Sequence, residues 1–156
     1  MVYLITGKIN HQKTTKTIEI ANKILSSDGF VSLKTMDQGN VVKFDVMKLS
    51  TKETKLLAMT KPYFNHQFNY TQELGPYVFN DEAFHWVENE MLMMINNHVK
   101  SLFLDEVGKL EIDGYGFYQT IIQMLYSERD CYFTIRDQFI PMFLEKFKIK
   151  SYQILT

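Results

Sequence analysis

Arginine is almost missing from this chain: Arg129 and Arg136 are the only two among 156 residues. Lys and Arg together number 17 against 18 Asp and Glu, a formal net charge of -1. Such a balance supplies no basic field, so no nucleic-acid partner is expected. The single cysteine, Cys131, excludes an internal disulfide. It sits in the apolar run Cys131-Tyr132-Phe133, the setting of a buried thiol rather than a nucleophile. No apolar stretch approaches the roughly 20 residues that cross a bilayer, so no membrane contact is expected. The apolar start is short and polar residues follow it, which argues against a signal peptide and for a cytoplasmic chain. His66, His85 and His98 lack metal-ligand spacing.

What is present fits one domain over residues 1–156 with a core of its own. Val2 to Thr6 reads as a strand, and Thr17, Ile20, Ala21, Ile24 and Leu25 recur at helical spacing over 14–26. Ser26-Ser27-Asp28-Gly29 reads as the end of that helix. Residues at about 30–79 change character. Strand-like runs flank a turn at Asp37-Gln38-Gly39-Asn40, and short strand pieces follow among loop residues, a β-rich insertion. Asn80-Asp81-Glu82 opens a second helix, with acidic residues at its positive end. Val99 to Leu104 is a buried strand, 115–127 a helix, Cys131 to Ile135 a strand, Pro141 the start of another helix, and Ser151 to Leu155 a last strand. Strands alternating with helices predict an α/β fold in three layers, a mainly parallel sheet with helices on both faces and an antiparallel hairpin insertion.

The chemistry begins at the first strand–helix junction. Gly7-Lys8-Ile9-Asn10-His11-Gln12-Lys13-Thr14-Thr15 has the outline of a phosphate-binding P-loop, or Walker A element, with Gln12 where the pattern asks for glycine. A helix N-terminus and a lysine in its first turn favour an anionic partner. Lys8 and His11 lie inside the loop and could touch a phosphate or stay solvated. The apolar run Ser101-Leu102-Phe103-Leu104 ends in Asp105-Glu106, the form of a Walker B element. In that form the Asp holds a hydrated magnesium and the Glu orients or deprotonates an attacking water. Both carboxylates would lie at the carboxyl edge of the sheet, where open α/β sheets bind ligands.

Asp105-Glu106-Val107-Gly108-Lys109-Leu110-Glu111 resembles the D-E-I-G-K-M-E signature of the small P-loop nucleoside-triphosphatases, the family of the thermophilic and cancer-related nucleoside-triphosphatases. Gly39 with Phe44-Asp45, Leu57-Ala58 and Gly75-Pro76-Tyr77-Val78 are similar to further segments of that family, in the same order. The resemblance implies the P-loop NTPase fold and Mg²⁺-dependent hydrolysis of nucleoside triphosphates, ATP or GTP with loose base selectivity, to diphosphates. Carried over by position, Lys13 contacts the β- and γ-phosphates, Thr14 and Asp105 hold the magnesium, and Glu106 handles the water. Lys109 matches the motif lysine and is a possible accessory group. The chain departs from the family at Asn10 and Gln12, where it has glycines, and at Val41 and Lys43 in the hairpin.

Rival readings are a protein of the same fold that binds nucleotide without turnover, a scaffold, and a small-molecule or nucleotide kinase. Kinases commonly clamp the moving phosphoryl group with lid arginines, which ranks the kinase below the hydrolase here. Arg136, just past a strand that should end near the site, is a possible arginine finger in cis. Phe64, Phe68, Tyr70, Tyr77 and Phe79 form either a stacking surface for a nucleobase or the packing of a hairpin.

Overall fold

The computed structural model describes residues 1–7 and 12–156. Lys8, Asn10 and His11 of the expected phosphate loop lie outside the described residues. Val2–Ile5 forms β1 and Lys13–Lys23 forms α1. Ser27–Asp37 (β2), Asn40–Lys48 (β3) and Thr54–Thr60 (β4) make a meander, and Gln72–Leu74 (β5) with Tyr77–Phe79 (β6) a short hairpin. Asp81–Asn96 (α2) leads to Ser101–Val107 (β7) and the one-turn helix Lys109–Ile112 (α3). Tyr118–Tyr126 (α4), Asp130–Ile135 (β8), Ile140–Lys146 (α5) and Tyr152–Leu155 (β9) complete the described elements.

Among the described residues the strands form one sheet in the order β5-β6-β4-β3-β2-β7-β8-β1-β9. The five strands from β2 to β9 in that order run parallel. The other four join antiparallel through β3. The insertion is therefore continuous with the sheet. Strand β2 pairs with β7 over Ser27–Phe30 and then runs on as one arm of the hairpin with β3. Gln38 and Gly39, both at positive φ (48° and 81°), turn that hairpin.

Side-chain alternation along the central strands builds two cores. Leu102 and Leu104 face one way, with Leu4, Phe30, Phe133 and the inner faces of α2, α4 and α5. Phe103 faces the other way, with Val31, Leu49 and Ala21 of α1. Across that second face Phe103, Tyr132 and Tyr3 stack in register, with centroids 4.4 and 4.5 Å apart. Helices thus cover both faces of the sheet, as the sequence implies.

Helix α1 stops three residues earlier than its periodicity predicts, and Leu25 is fully exposed. Ser27, Asp28 and Gly29 do not end the helix; they are the first residues of β2. The reason is backbone proximity. A Cβ on Gly29 would lie 2.1 Å from the Phe103 carbonyl oxygen, so only glycine lets β2 lie against β7 there. The Ser27 hydroxyl then donates to the Ala21 and Ile24 carbonyls at 2.8 and 3.3 Å and satisfies the vacated helix end.

Candidate functional site

The parallel order places β8 between β1 and β7, so the carboxyl ends of three neighbouring strands meet the N-terminus of α1. Gly7 follows β1. Gln12 stands at the N-cap of α1 in the left-handed region (φ 55°, ψ 31°), with an exposed side chain and its carbonyl accepting from Lys16 N at 3.0 Å. A glycine would enter that conformation without cost; a glutamine sustains about 1–2 kcal/mol of steric strain. Lys13, the first helical residue, is buried, while Thr15 faces solvent. Thr14 Oγ1 donates to Asp105 Oδ2 at 2.6 Å, joining the two halves of the site from 91 residues apart.

Asp105 is 1% exposed, and two further groups organise it. The Ser32 amide donates to Oδ2 at 3.0 Å. The Thr134 hydroxyl donates to Oδ1 and accepts the Glu106 amide at 2.6 Å. Burial pushes the Asp105 carboxyl above the ordinary carboxylate range, and the hydroxyls of Thr134 and Thr14 pull it back. Between Leu104 and Val107 the pairing of β7 with β8 slips, and Glu106 takes φ 62°. The bulge turns Asp105 inward and leaves Glu106 at the surface, so adjacent carboxylates face different surroundings. Glu106 is open to solvent on one side but hemmed by the walls around it, and this partial loss of water raises its pKa; the Asp105 charge adds to it, and Lys13, Arg136 and Lys34 oppose it. Thr134, Ser32 and Lys34 were not singled out from the sequence. Thr134 carries a signal, a hydroxyl inside the apolar run Cys131–Ile135. The other two reach the site only through the pairing of β2 with β7.

Beyond Glu106 lies a cavity of about 370 Å³, walled by Phe44, Tyr77, Phe79, Phe84, Phe117 and Phe139. Glu106, Lys109, Arg136 and the buried Glu111 supply its ionisable groups. Lys109 is exposed and pairs with Asp113 at 2.8 Å, one turn on. Arg136 is exposed just past β8. Tyr77 and Phe79 face this cavity, whereas Phe64, Phe68 and Tyr70 pack on one another at 4.9 and 5.3 Å. Glu111, the last motif residue, is 3% exposed and accepts from the amides of Gly108 and Phe117 at 2.9 and 3.0 Å. Burial raises its carboxyl to about 7. It fastens the turn after β7 to the entry of α4. Cys131 is buried, and burial pushes its thiol up to about 12, as befits an inert core residue.

The donor set suits magnesium. Thr14 Oγ1 and Asp105 Oδ2 bring two hard oxygens together, with a single carboxylate at the centre. Among the described residues no group of three or more His, Cys, Asp or Glu could hold a metal. Magnesium commonly keeps several waters and takes further ligands from phosphate.

A strand and helix with a buried lysine, opposed by an acidic strand end across one intervening strand, define an α/β protein of the P-loop NTPase type. Solved structures share this fold. THEP1 from the hyperthermophile Aquifex aeolicus superposes with a TM-score of 0.69 at 17% identity, covering 99% of this chain and 88% of that one. A human cancer-related nucleoside triphosphatase gives 0.68 at 20% identity, with 99% and 87% covered. The NTPase family profile matches residues 2–156, and the chain belongs to that family. Nucleoside-triphosphatase THEP1 of Thermotoga sp. strain RQ2 is 26% identical over 154 residues, 97% of this chain and 82% of that protein. The Thermotoga petrophila protein of the same name is 25% identical over 151 residues, with 97% and 80% covered.

Proposed function

We propose that the chain binds a nucleoside triphosphate with Mg²⁺ and hydrolyses it to the diphosphate and phosphate. The observation that carries this reading is the pair of carboxylates split by the Glu106 bulge, with Thr14 hydrogen-bonded to the buried member. Asp105 and Thr14 would hold the magnesium, which when bound neutralises charge developing on the phosphates. Lys13, at the positive end of α1, would draw the β- and γ-phosphate oxygens into place. Backbone amides of residues 7–15 would complete the cradle. Glu106 would accept a hydrogen bond from water and aim it at the γ-phosphorus. Thr134 would hold Asp105 and the Glu106 backbone in their relative places. Lys109 and Arg136 stand at the rim as possible accessory cations, with Arg136 already acting on the Glu106 charge. The substrates would be the ATP and GTP of the cytoplasm, with little choice of base.

Phosphate release from ATP, GTP, CTP and UTP with Mg²⁺ tests this, beside Glu106→Gln. The expected loss in the variant is about 10²–10⁴-fold, the usual worth of a positioned base. No release by the wild type, or release that Glu106→Gln leaves intact, ends the hydrolase reading. The strained Gln12 N-cap favours a second reading, a protein that holds the nucleotide without turnover. In that case a non-hydrolysable analogue with Mg²⁺ raises the melting temperature although no phosphate appears.

A further inference from the structure

The cavity beyond Glu106 is too apolar for a chamber that serves only water. Its walls are mainly aromatic and aliphatic, and Glu106, Lys109, Arg136 and the buried Glu111 are its ionisable groups. At about 370 Å³ it falls in the range that encloses small organic ligands, in which a few polar groups set orientation. The stereochemistry of phosphoryl transfer says which part of a reaction it faces. The attacking and leaving oxygens lie roughly in line through the γ-phosphorus. Glu106, as the group that orients the nucleophile, marks the attacking side. The nucleoside travels with the leaving diphosphate and so points away from Glu106. A cavity that carries Glu106 in its wall therefore lies on the attacking side, and Phe79 and Tyr77 are misplaced to stack on the base of the nucleotide.

We infer that this cavity seats a second substrate, a planar aromatic or heteroaromatic alcohol that receives the γ-phosphoryl group in place of water. The inference rests on the triphosphate-binding reading above. The acceptor oxygen bonds to the γ-phosphorus as the bond from that phosphorus to the β,γ-bridging oxygen breaks. The diphosphate leaves with that electron pair, and the hydroxyl proton passes to the Glu106 carboxylate and on to solvent. The products are a nucleoside diphosphate and a phosphomonoester, with no change of oxidation state. The ring would lie among Phe44, Phe79 and Phe117, where offset and edge-on contacts favour aromatic partners. Arg136 and Lys109 would face the phosphoryl group at the charged end, the task for which the sequence offered no lid arginine. Hydrolysis is then the reaction of the same site with the cavity empty of acceptor.

The full chain tests this with para-fluorobenzyl alcohol as probe, followed by fluorine NMR with and without Mg²⁺ and a non-hydrolysable ATP analogue. Phosphorus NMR follows the same mixture with ATP. The expected result is probe binding that persists beside the analogue, and a benzyl phosphate signal once ATP is present. Leu74→Trp, at a half-exposed position of the cavity rim, is expected to fill part of the cavity and weaken the probe about tenfold, with an unchanged melting temperature. Displacement of the probe by the analogue would assign the cavity to the nucleobase and overturn the inference. So would phosphate release without ester, or undiminished probe binding in Leu74→Trp. A wild type that takes no analogue and releases no phosphate overturns the nucleotide reading itself, and this inference with it.

Discussion

Among the described residues outside the glycines, Gln12 and Glu106 carry left-handed backbone at the heart of the site, and their strain has different uses. At Glu106 it separates two neighbouring carboxylates, one sealed against Thr134 and one left at the surface. At Gln12 it starts α1 where a glycine would start it without cost. Gln12→Gly should relieve about 1–2 kcal/mol of strain but lose about 0.5–1 kcal/mol to chain entropy, a net gain of about 0–1.5 kcal/mol in urea denaturation. The sharper readout is affinity for a non-hydrolysable triphosphate, expected to tighten. Unchanged affinity would show that the glutamine side chain does not crowd the phosphates. Thr134→Val keeps the shape of the side chain but leaves Asp105 without one donor and the Glu106 amide without its acceptor. An unfolding free energy lower by about 1–3 kcal/mol is expected, together with a fall in turnover. Thr134→Ser should restore both, and a valine variant of wild-type stability would show that the hydroxyl does not organise the pair.

The elements around the site are held by close backbone approach and by buried carboxylates more than by their own helical strength. Helix α3 has only four residues, too few to be stable alone, and Glu111 ties its start to the entry of α4. A Cβ on Gly116 would come within 2.1 Å of Glu111 Oε2, which is why glycine stands in that turn at φ 60°. Strand β2 depends in the same way on Gly29. Gly29→Ala should force β2 off β7 and cost more than about 2 kcal/mol, because the obstacle is backbone rather than a movable side chain. It should also separate Ser32 from Asp105, so nucleotide affinity is expected to fall with stability. Retention of both would contradict the close pairing. Strands β1, β7 and β8 were legible as apolar runs, and so was the acidic end of β7. Helix α3 and the true end of α1 were not. Four residues give no periodicity to read, and the Ser-Asp-Gly run that resembles a helix stop is occupied by a strand pairing with partners some 74 residues away, such as Ser27 with Ser101.

For the whole molecule the buried carboxylates set a pH dependence. Asp105, Glu106 and Glu111 all stand above their ordinary values. A carboxyl raised in the folded state binds a proton that the unfolded chain has already released. Its contribution to stability is complete below the unfolded value and is lost as pH rises through the folded one. For Glu111 that window runs from 4.5 to about 7, a loss on the order of 3 kcal/mol. Urea denaturation of the ligand-free chain at pH 5 and pH 8 should show lower stability at the higher pH. Glu111→Gln should flatten the difference, and equal stabilities at both values would refute the assignment. None of the described helices is long and apolar enough to cross a membrane.

Local order was enough for the α/β class and for proposing the two nucleotide motifs, because a strand, a helix start and an acidic strand end each announce themselves over a few neighbouring positions. The D-E-x-G-K-x-E run was the specific sign of the family, and the other matching segments supported it by their order. Only the tertiary structure decided how those residues work together. The insertion of β8 between β1 and β7 brings Thr134 to Asp105, and the pairing of β2 with β7 brings in Ser32. The antiparallel half of the sheet closes an aromatic cavity against Glu106. These relations join residues tens of positions apart, and strand order, which the periodicity of a sequence does not encode, is what brings them into contact.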